Sequence, residues 1–221
     1  AHELALLATA KGAGIDIVEI CGGQARASQI AVRESSQQAN FDLVTMIDLT
    51  QPKHQHDTMN LITNNHVLVA SMAPNCGPFG PLGRLNWHLN PQSMQAAYST
   101  AAPWANVCRQ IAQNQLYLGR HLIQEQPFPS TLYHGASWPQ VLNMMGVTQA
   151  VYHRCTCELR NMRAPRQGFY MKKPSSMTAS CPELVAHFEN LKFDGSHTHL
   201  PDTGALGKRT IYSDVAVLTW K

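Results

Sequence analysis

Residues His66 to Gly80 read HVLVASMAPNCGPFG. The apolar run Val67-Leu68-Val69-Ala70 passes directly into Ala73-Pro74-Asn75-Cys76-Gly77-Pro78-Phe79-Gly80. A short apolar run bounded by turn residues is the pattern of a buried strand, predicted here over His66 to Met72. Its Pro/Gly-rich exit places one thiol at the carboxyl end of a sheet, the edge at which open α/β sheets bind their ligands. The same residues also suit a tight loop closed over a buried, inert cysteine.

Working outward, the flanking segments alternate between strand and helix patterns. Ile15 to Ile20, opened by Gly12 and Gly14 and closed by Gly22-Gly23, reads as a buried strand. Gln24 to Gln38 has helix-forming composition, and Phe41 to Asp48 reads as a second strand ending in an acid. Asp57 to Thr63 is a short helix candidate. Strands separated by helices imply parallel pairing, hence an α/β, Rossmann-like doubly wound sheet. Further along, Pro91 to Leu118 is helical in pattern and is expected in two pieces, because Pro103 suits a first helical turn. Arg120 to Glu125 is a strand stopped by Pro127 and Pro129, and Trp138 to Met145 a helix. Gln149 to Arg154 and Gly168 to Lys172 are strands, Pro182 to Leu191 a helix, and Ile211 to Leu218 a closing edge segment. The expectation is a single domain over residues 1–221, with six or seven strands and an irregular carboxyl-terminal portion.

Composition narrows the function classes. The 221 residues are 44% hydrophobic and 14% charged, with a net charge of +3, ordinary for a globular chain with one full core. A charge of that size gives no electrostatic argument for nucleic-acid binding, although Arg154, Arg160, Arg163, Arg166, Lys172 and Lys173 form a basic patch. No apolar run reaches the roughly 20 residues needed to span a bilayer. The opening AHELALLATAKGAG lacks a signal-peptide pattern, and a start at Ala1 without Met suggests a processed product or a piece of something longer. Six cysteines spread among predicted strands and helices suit a reduced, intracellular setting, nuclear or cytoplasmic.

The turn Glu19-Ile20-Cys21-Gly22-Gly23 puts small residues where a ligand approaches backbone, without the full dinucleotide fingerprint. Asp48, followed by Leu49, closes the second predicted strand, where a carboxylate accepts from a ribose diol; it equally suits a helix cap or loop. In this order the features resemble class I S-adenosylmethionine-dependent methyltransferases, and within them the cytosine-C5 nucleic-acid branch. That resemblance implies a cofactor site of Glu19, Cys21, Gly22, Gly23, Asp48, Leu49 and Pro74. It implies Cys76 as the nucleophile that adds to C6 of the base, with Arg84 supplying positive charge. Glu125 would be the ring-nitrogen acid, a role that calls for a raised pKa. It implies nucleic acid as partner, DNA ahead of RNA, with a duplex base flipped out. Three departures stand beside the match: Asn75 separates Pro74 from Cys76, Gln126-Pro127 replaces the branch's Asn-Val, and no clear Gln-x-Arg follows. An inactive methyltransferase-like binding module, or a methyltransferase of another target class, are the rival expectations. The later Lys172-Lys173-Pro174 and Asp194 to His199 are similar to methyltransferase-like domains of retroelement-type polyproteins.

A second constellation is Cys155, Cys157, Cys181, His197 and His199. Thiolates and imidazoles are zinc ligands and a structural ion takes four of them, so zinc is a candidate cofactor here. Unrelated cysteines and surface histidines are the alternative.

Overall fold

Ile17, Val18 and Ile20 are β-branched and apolar, and they form β1 (Ile17–Ile20) with Val18 and Ile20 fully buried. The structure, a computed structural model, describes residues 14–23, 25–33, 37–135, 138–160 and 168–200. The segment expected over Ile211 to Leu218, with Ala1, Gly12, Arg163 and Arg166, lies outside the described residues. Around β1 the chain lays down α1 (Arg26–Arg33), β2 (Gln38–Phe41), α2 (Pro52–Asn64), β3 (Val69–Met72), α3 (Pro81–Leu89), α4 (Pro91–Tyr117) and β4 (His121–Pro127). Then follow α5 (Trp138–Leu142), β5 (Thr148–His153), β6 (Tyr170–Met171), β7 (Pro174–Ala179), α6 (Pro182–Glu189) and β8 (His199–Leu200).

Six strands make one sheet in the order β2-β1-β3-β4-β7-β5. All run parallel except β7, which lies antiparallel to both β4 and β5. The fold is therefore Rossmann-like, mostly parallel, and reverses direction from β1 so that helices cover both faces. Successive strand residues point to opposite faces. Leu122 joins the core with Val107, Cys108 and Ile111 of α4, while Ile123 packs with Val185 and Phe188 of α6. Two faces of one strand thus carry two separate helical covers.

Five local outcomes depart from the sequence expectation. The second strand ends at Phe41, not Asp48, because Asp42 accepts a hydrogen bond from the Val44 N–H and opens a 3₁₀ turn over Leu43–Thr45. The helix around Pro103 is one 27-residue element. An interior proline costs about 3 kcal/mol, but Trp104, Val107 and Ile111 on the same helix are buried, and each such side chain returns about 1.5–3 kcal/mol. Helix α3 was not expected at all; Gly83 makes it possible, since a Cβ there would stand 2.6 Å from the Pro78 carbonyl oxygen. Strand β7 was also missed. Its sequence PSSMTA has no hydrophobic alternation, yet Ser175, Ser176, Met177, Thr178 and Ala179 are all buried at the centre of the sheet. The expected strand over Gly168 to Lys172 shrinks to β6, paired with β8 in a separate two-stranded ladder.

Replacing Pro103 restores one backbone donor inside α4. Pro103→Ala is expected to raise unfolding stability by about 1–3 kcal/mol in urea melts; an unchanged midpoint would mean that the helix bends to absorb the ring.

Candidate active site at the carboxyl edge of the sheet

The ends of β1, β2, β3, β4 and β5 share one edge of the sheet, and the start of the reversed β7 reaches the same edge. That topology gathers Cys76 beyond β3, Glu125 on β4, Arg154 just past β5 and Lys173 just before β7. Glu125 and the Arg154 guanidinium form an ion pair of 2.5 Å, their side chains 18% and 19% exposed. Arg154 is fixed from two further sides: its N–H donates to the Lys173 carbonyl and its Nε to Ser175 Oγ. Burial alone pushes the Glu125 carboxyl up. The charges of Arg154 and Lys173, with hydrogen bonds from Arg154 and Ser175, outweigh it and the net direction is downward. Glu125 is thus ionised in the free chain, a correction to the raised pKa expected of it.

Cys76 is half-buried and burial pushes its thiol up. Lys173 and Arg154 pull the other way, and Glu125 adds to the rise. Arg84, the residue expected to supply positive charge, is exposed on α3; the cations that bear on the thiol are Lys173 and Arg154. The loop itself is held without the Pro-Cys dipeptide. Asn75 Oδ1 accepts from the Gly77 N–H at 3.0 Å, an Asx turn that arches over Cys76. The Cys76 carbonyl accepts from the N–H groups of Phe79 and Gly80. Buried Pro74 gives its carbonyl to Gln126 Nε2 at 2.9 Å, and Gln126 Oε1 accepts from Ser130 Oγ. Gln126, which departs from the resemblance as sequence, is the tie between the cysteine loop and β4.

The first loop is the other half of the edge. Cys21, Gly23 and Ala25 all have positive φ, 60°, 61° and 54°, a conformation that non-glycine residues adopt at a cost of order 1–3 kcal/mol. Glu19 is buried and turns inward, its Oε2 accepting from the Ser28 N–H and hydroxyl at the start of α1. Burial pushes its pKa up. A Cβ on Gly22 would stand 2.2 Å from Glu19 Oε1, so glycine there is needed by the fold. A Cβ on Gly23 would meet nothing within 4 Å, and its N–H donates to Asp42 Oδ2 at 2.9 Å.

Asp42, not Asp48, is therefore the acid at the end of β2, which sequence reasoning missed by running the strand too far. Asp48 lies beyond the 3₁₀ turn with its carboxylate accepting from the Thr50 N–H and hydroxyl, contacts that hold its pKa down. Leu49 has no exposed surface and belongs to the core, so it offers nothing to a ligand. Cys21 faces Cys108 of α4; burial and that neighbour push its thiol well up.

Of the five Cys/His residues, the structure brings three together: Cys155, His197 and His199, whose donor atoms lie within 4.8 Å of one another. Cys157 is instead in the core beneath α6 with Tyr152, Met177 and Phe188. Cys181 precedes α6 and its thiol donates to Glu183 Oε2.

No protein-family model matches this chain, and no curated protein does. Two solved structures are similar in fold. One is the Dnmt2 methyltransferase of S. pombe, 10% identical, with a TM-score of 0.44, covering 83% of this chain and 57% of that one. The chain thus spans little more than half of that protein's length. The other is an antibiotic-related methyltransferase, 12% identical, with a TM-score of 0.38, covering 80% and 92%. The site rests on its own geometry.

Two outcomes follow from that geometry. Alkylation of Cys76 by iodoacetamide, mapped by mass spectrometry, should rise with pH through a midpoint above that of a free thiol. Lys173→Ala should move this midpoint up and Glu125→Gln should move it down; shifts of the opposite sign would contradict the placement. Gln126→Leu leaves the buried Pro74 carbonyl without its donor and should cost about 1–3 kcal/mol in denaturant melts.

Proposed function

We propose that this chain is an S-adenosylmethionine-dependent methyltransferase acting on nucleic acid, with cytosine C5 as the leading target. The observation that carries the reading is the meeting of Cys76, Glu125, Arg154 and Lys173 at the carboxyl edge of a Rossmann-like sheet. The residues at the first loop suit the cofactor. Gly23 leaves open space beside an ordered backbone, Asp42 supplies a carboxylate for a ribose diol, and Leu43, Val44 and Met46 beyond it expose apolar surface for a purine. When bound, S-adenosylmethionine supplies the methyl group as an electrophile.

The chain's own residues account for the rest. C5 of cytosine is not nucleophilic until a thiolate adds to C6, so Cys76 must first lose its proton. In the free chain it holds that proton, and the nearby Lys173 and Arg154 charges favour its release. As the sulfur–C6 bond forms, negative charge develops on the ring and Arg154 and Lys173 offset it. Glu125 arrives ionised, so it takes up the proton that Cys76 releases and holds it in a hydrogen bond to the ring nitrogen, rather than donating one it already carries. Loss of the C5 proton to solvent after transfer re-forms the C5–C6 double bond and expels Cys76 as a thiolate. Phe128, exposed just beyond β4, offers an aromatic face for the extruded base. Lys172 and Lys173 offer positive charge beside this edge for a phosphate backbone, whereas Arg160 is paired with Glu158.

DNA is the first substrate to test and RNA the second. Among the described residues no helix is long and apolar enough to cross a membrane. The six cysteines are free, which supports a nuclear or cytoplasmic setting. In this reading zinc takes no part in the transfer and serves structure alone.

Cys76→Ser should lose methyl transfer by at least about 10³-fold while still binding S-adenosylmethionine. The wild type should form a denaturation-resistant adduct with 5-fluorocytosine-containing DNA, and the variant should not. Transfer retained in Cys76→Ser would overturn the C5 mechanism in favour of an amine or hydroxyl target. Absence of cofactor binding in the wild type would favour an inactive binding module.

A further inference from the structure

We propose that Cys155, His197 and His199 hold a zinc ion that pins the carboxyl-terminal segment onto the turn carrying Arg154. The site stands on its donors and does not depend on the methyl-transfer reading; only its position next to Arg154 connects the two.

The turn over Arg154–Cys157 follows β5 directly, so Cys155 is one residue from the cation that pairs with Glu125. Cys155 is 1% exposed, beneath a segment that returns from α6 through Phe193 to His199. Both histidines present Nε2, 3.1 Å apart. Two imidazole nitrogens bound to one tetrahedral zinc at 2.0–2.1 Å would stand about 3.3 Å apart, so the pair is already spaced for a shared ion. Neither ring is loose. Tyr170 stacks on His197 at 3.8 Å between centroids, and Phe193 packs against His199 at 4.2 Å and His197 at 4.7 Å. The far nitrogen of His197, Nδ1, is 3.3 Å from Ser196 Oγ, and the Ser196 N–H donates to Asp194 Oδ1. A ligating histidine ordinarily has its second nitrogen backed in this way, which fixes the tautomer that leaves Nε2 as donor.

The donor set selects the ion. One thiolate and two imidazoles suit zinc better than calcium or magnesium, which take oxygen. Binding displaces the Cys155 thiol proton to solvent and forms one sulfur–metal and two nitrogen–metal bonds. With Cys157 and Cys181 directed elsewhere, the described residues supply three ligands, one fewer than a closed structural site takes, and water completes the tetrahedron.

Metal analysis of the full chain, purified without chelators and dialysed, should give one zinc per chain. Cys155→Ser and His199→Ala should bring this close to zero, whereas Cys157→Ser and Cys181→Ser should leave it unchanged. Should the Cys155 and His199 variants fail to fold, cobalt added to metal-stripped wild type decides: a thiolate-to-cobalt charge-transfer band should grow to one equivalent. Chelation should also speed amide hydrogen exchange across residues 153–160 and 196–200. Less than one zinc with no cobalt–thiolate band would overturn the proposal, as would zinc retained at full content in a folded Cys155→Ser. Because none of these readouts uses methyl transfer or cofactor binding, their failure leaves the proposed activity standing and is told apart from its failure.

Discussion

The Glu125–Arg154 ion pair is the interaction on which the arrangement of this edge depends. It joins β4 to the turn beyond β5, two elements that are not neighbours in the sheet, and it crosses β7 to do so. Two mostly desolvated charges are tolerable only as a pair; removing either partner of such a pair typically costs about 3–5 kcal/mol. The sign of its pH dependence follows. The Glu125 pKa is depressed in the folded chain, so the stability it contributes is present above the unfolded carboxyl pKa and is lost as pH falls through the folded one. The same pair sets the charge around Cys76. Burial is the main reason the resting sulfur keeps its proton; the ionised Glu125 adds to it by balancing one of the two cations that a neutral Glu125 would leave facing the thiol.

Around that pair the backbone is secured by ordinary hydrogen bonds in unusual places. Gln126 ties the Pro74 carbonyl to β4, Asn75 closes an Asx turn over Cys76, and Gly23 is tethered to Asp42. These contacts explain how the loop keeps its shape although Asn75 and Gln126 depart from the resemblance. A hydrogen bond of about 1 kcal/mol does the work that a proline ring's fixed φ would do elsewhere.

Much of this was legible in the sequence. The run from Val67 to Gly80 announced both a buried strand and its loop, because apolar content and Pro/Gly punctuation are local signals. What escaped was set by tertiary context. PSSMTA carries no hydrophobic alternation because β7 is covered on both faces and partnered on both edges, so small polar residues suffice. Phe41 to Asp48 looked like a strand until a side-chain cap from Asp42 stopped it, and that shifted the acid of interest by six residues. Pro103 marked a break that packing overrode. Arg154 and Lys173 were visible only as part of a basic patch; nothing local said that a reversed strand would carry Lys173 back to the edge where Cys76 lies.

Uptake of the methyl donor at this edge is what the proposed activity depends on most. Calorimetric titration of the wild-type chain with S-adenosylhomocysteine, the product form that cannot be consumed, tests this without a substrate. One binding event per chain, weakened by Asp42→Ala and unchanged by Cys76→Ser, is the predicted result. No heat of binding with S-adenosylhomocysteine or S-adenosylmethionine, from a protein shown to be folded, would contradict it.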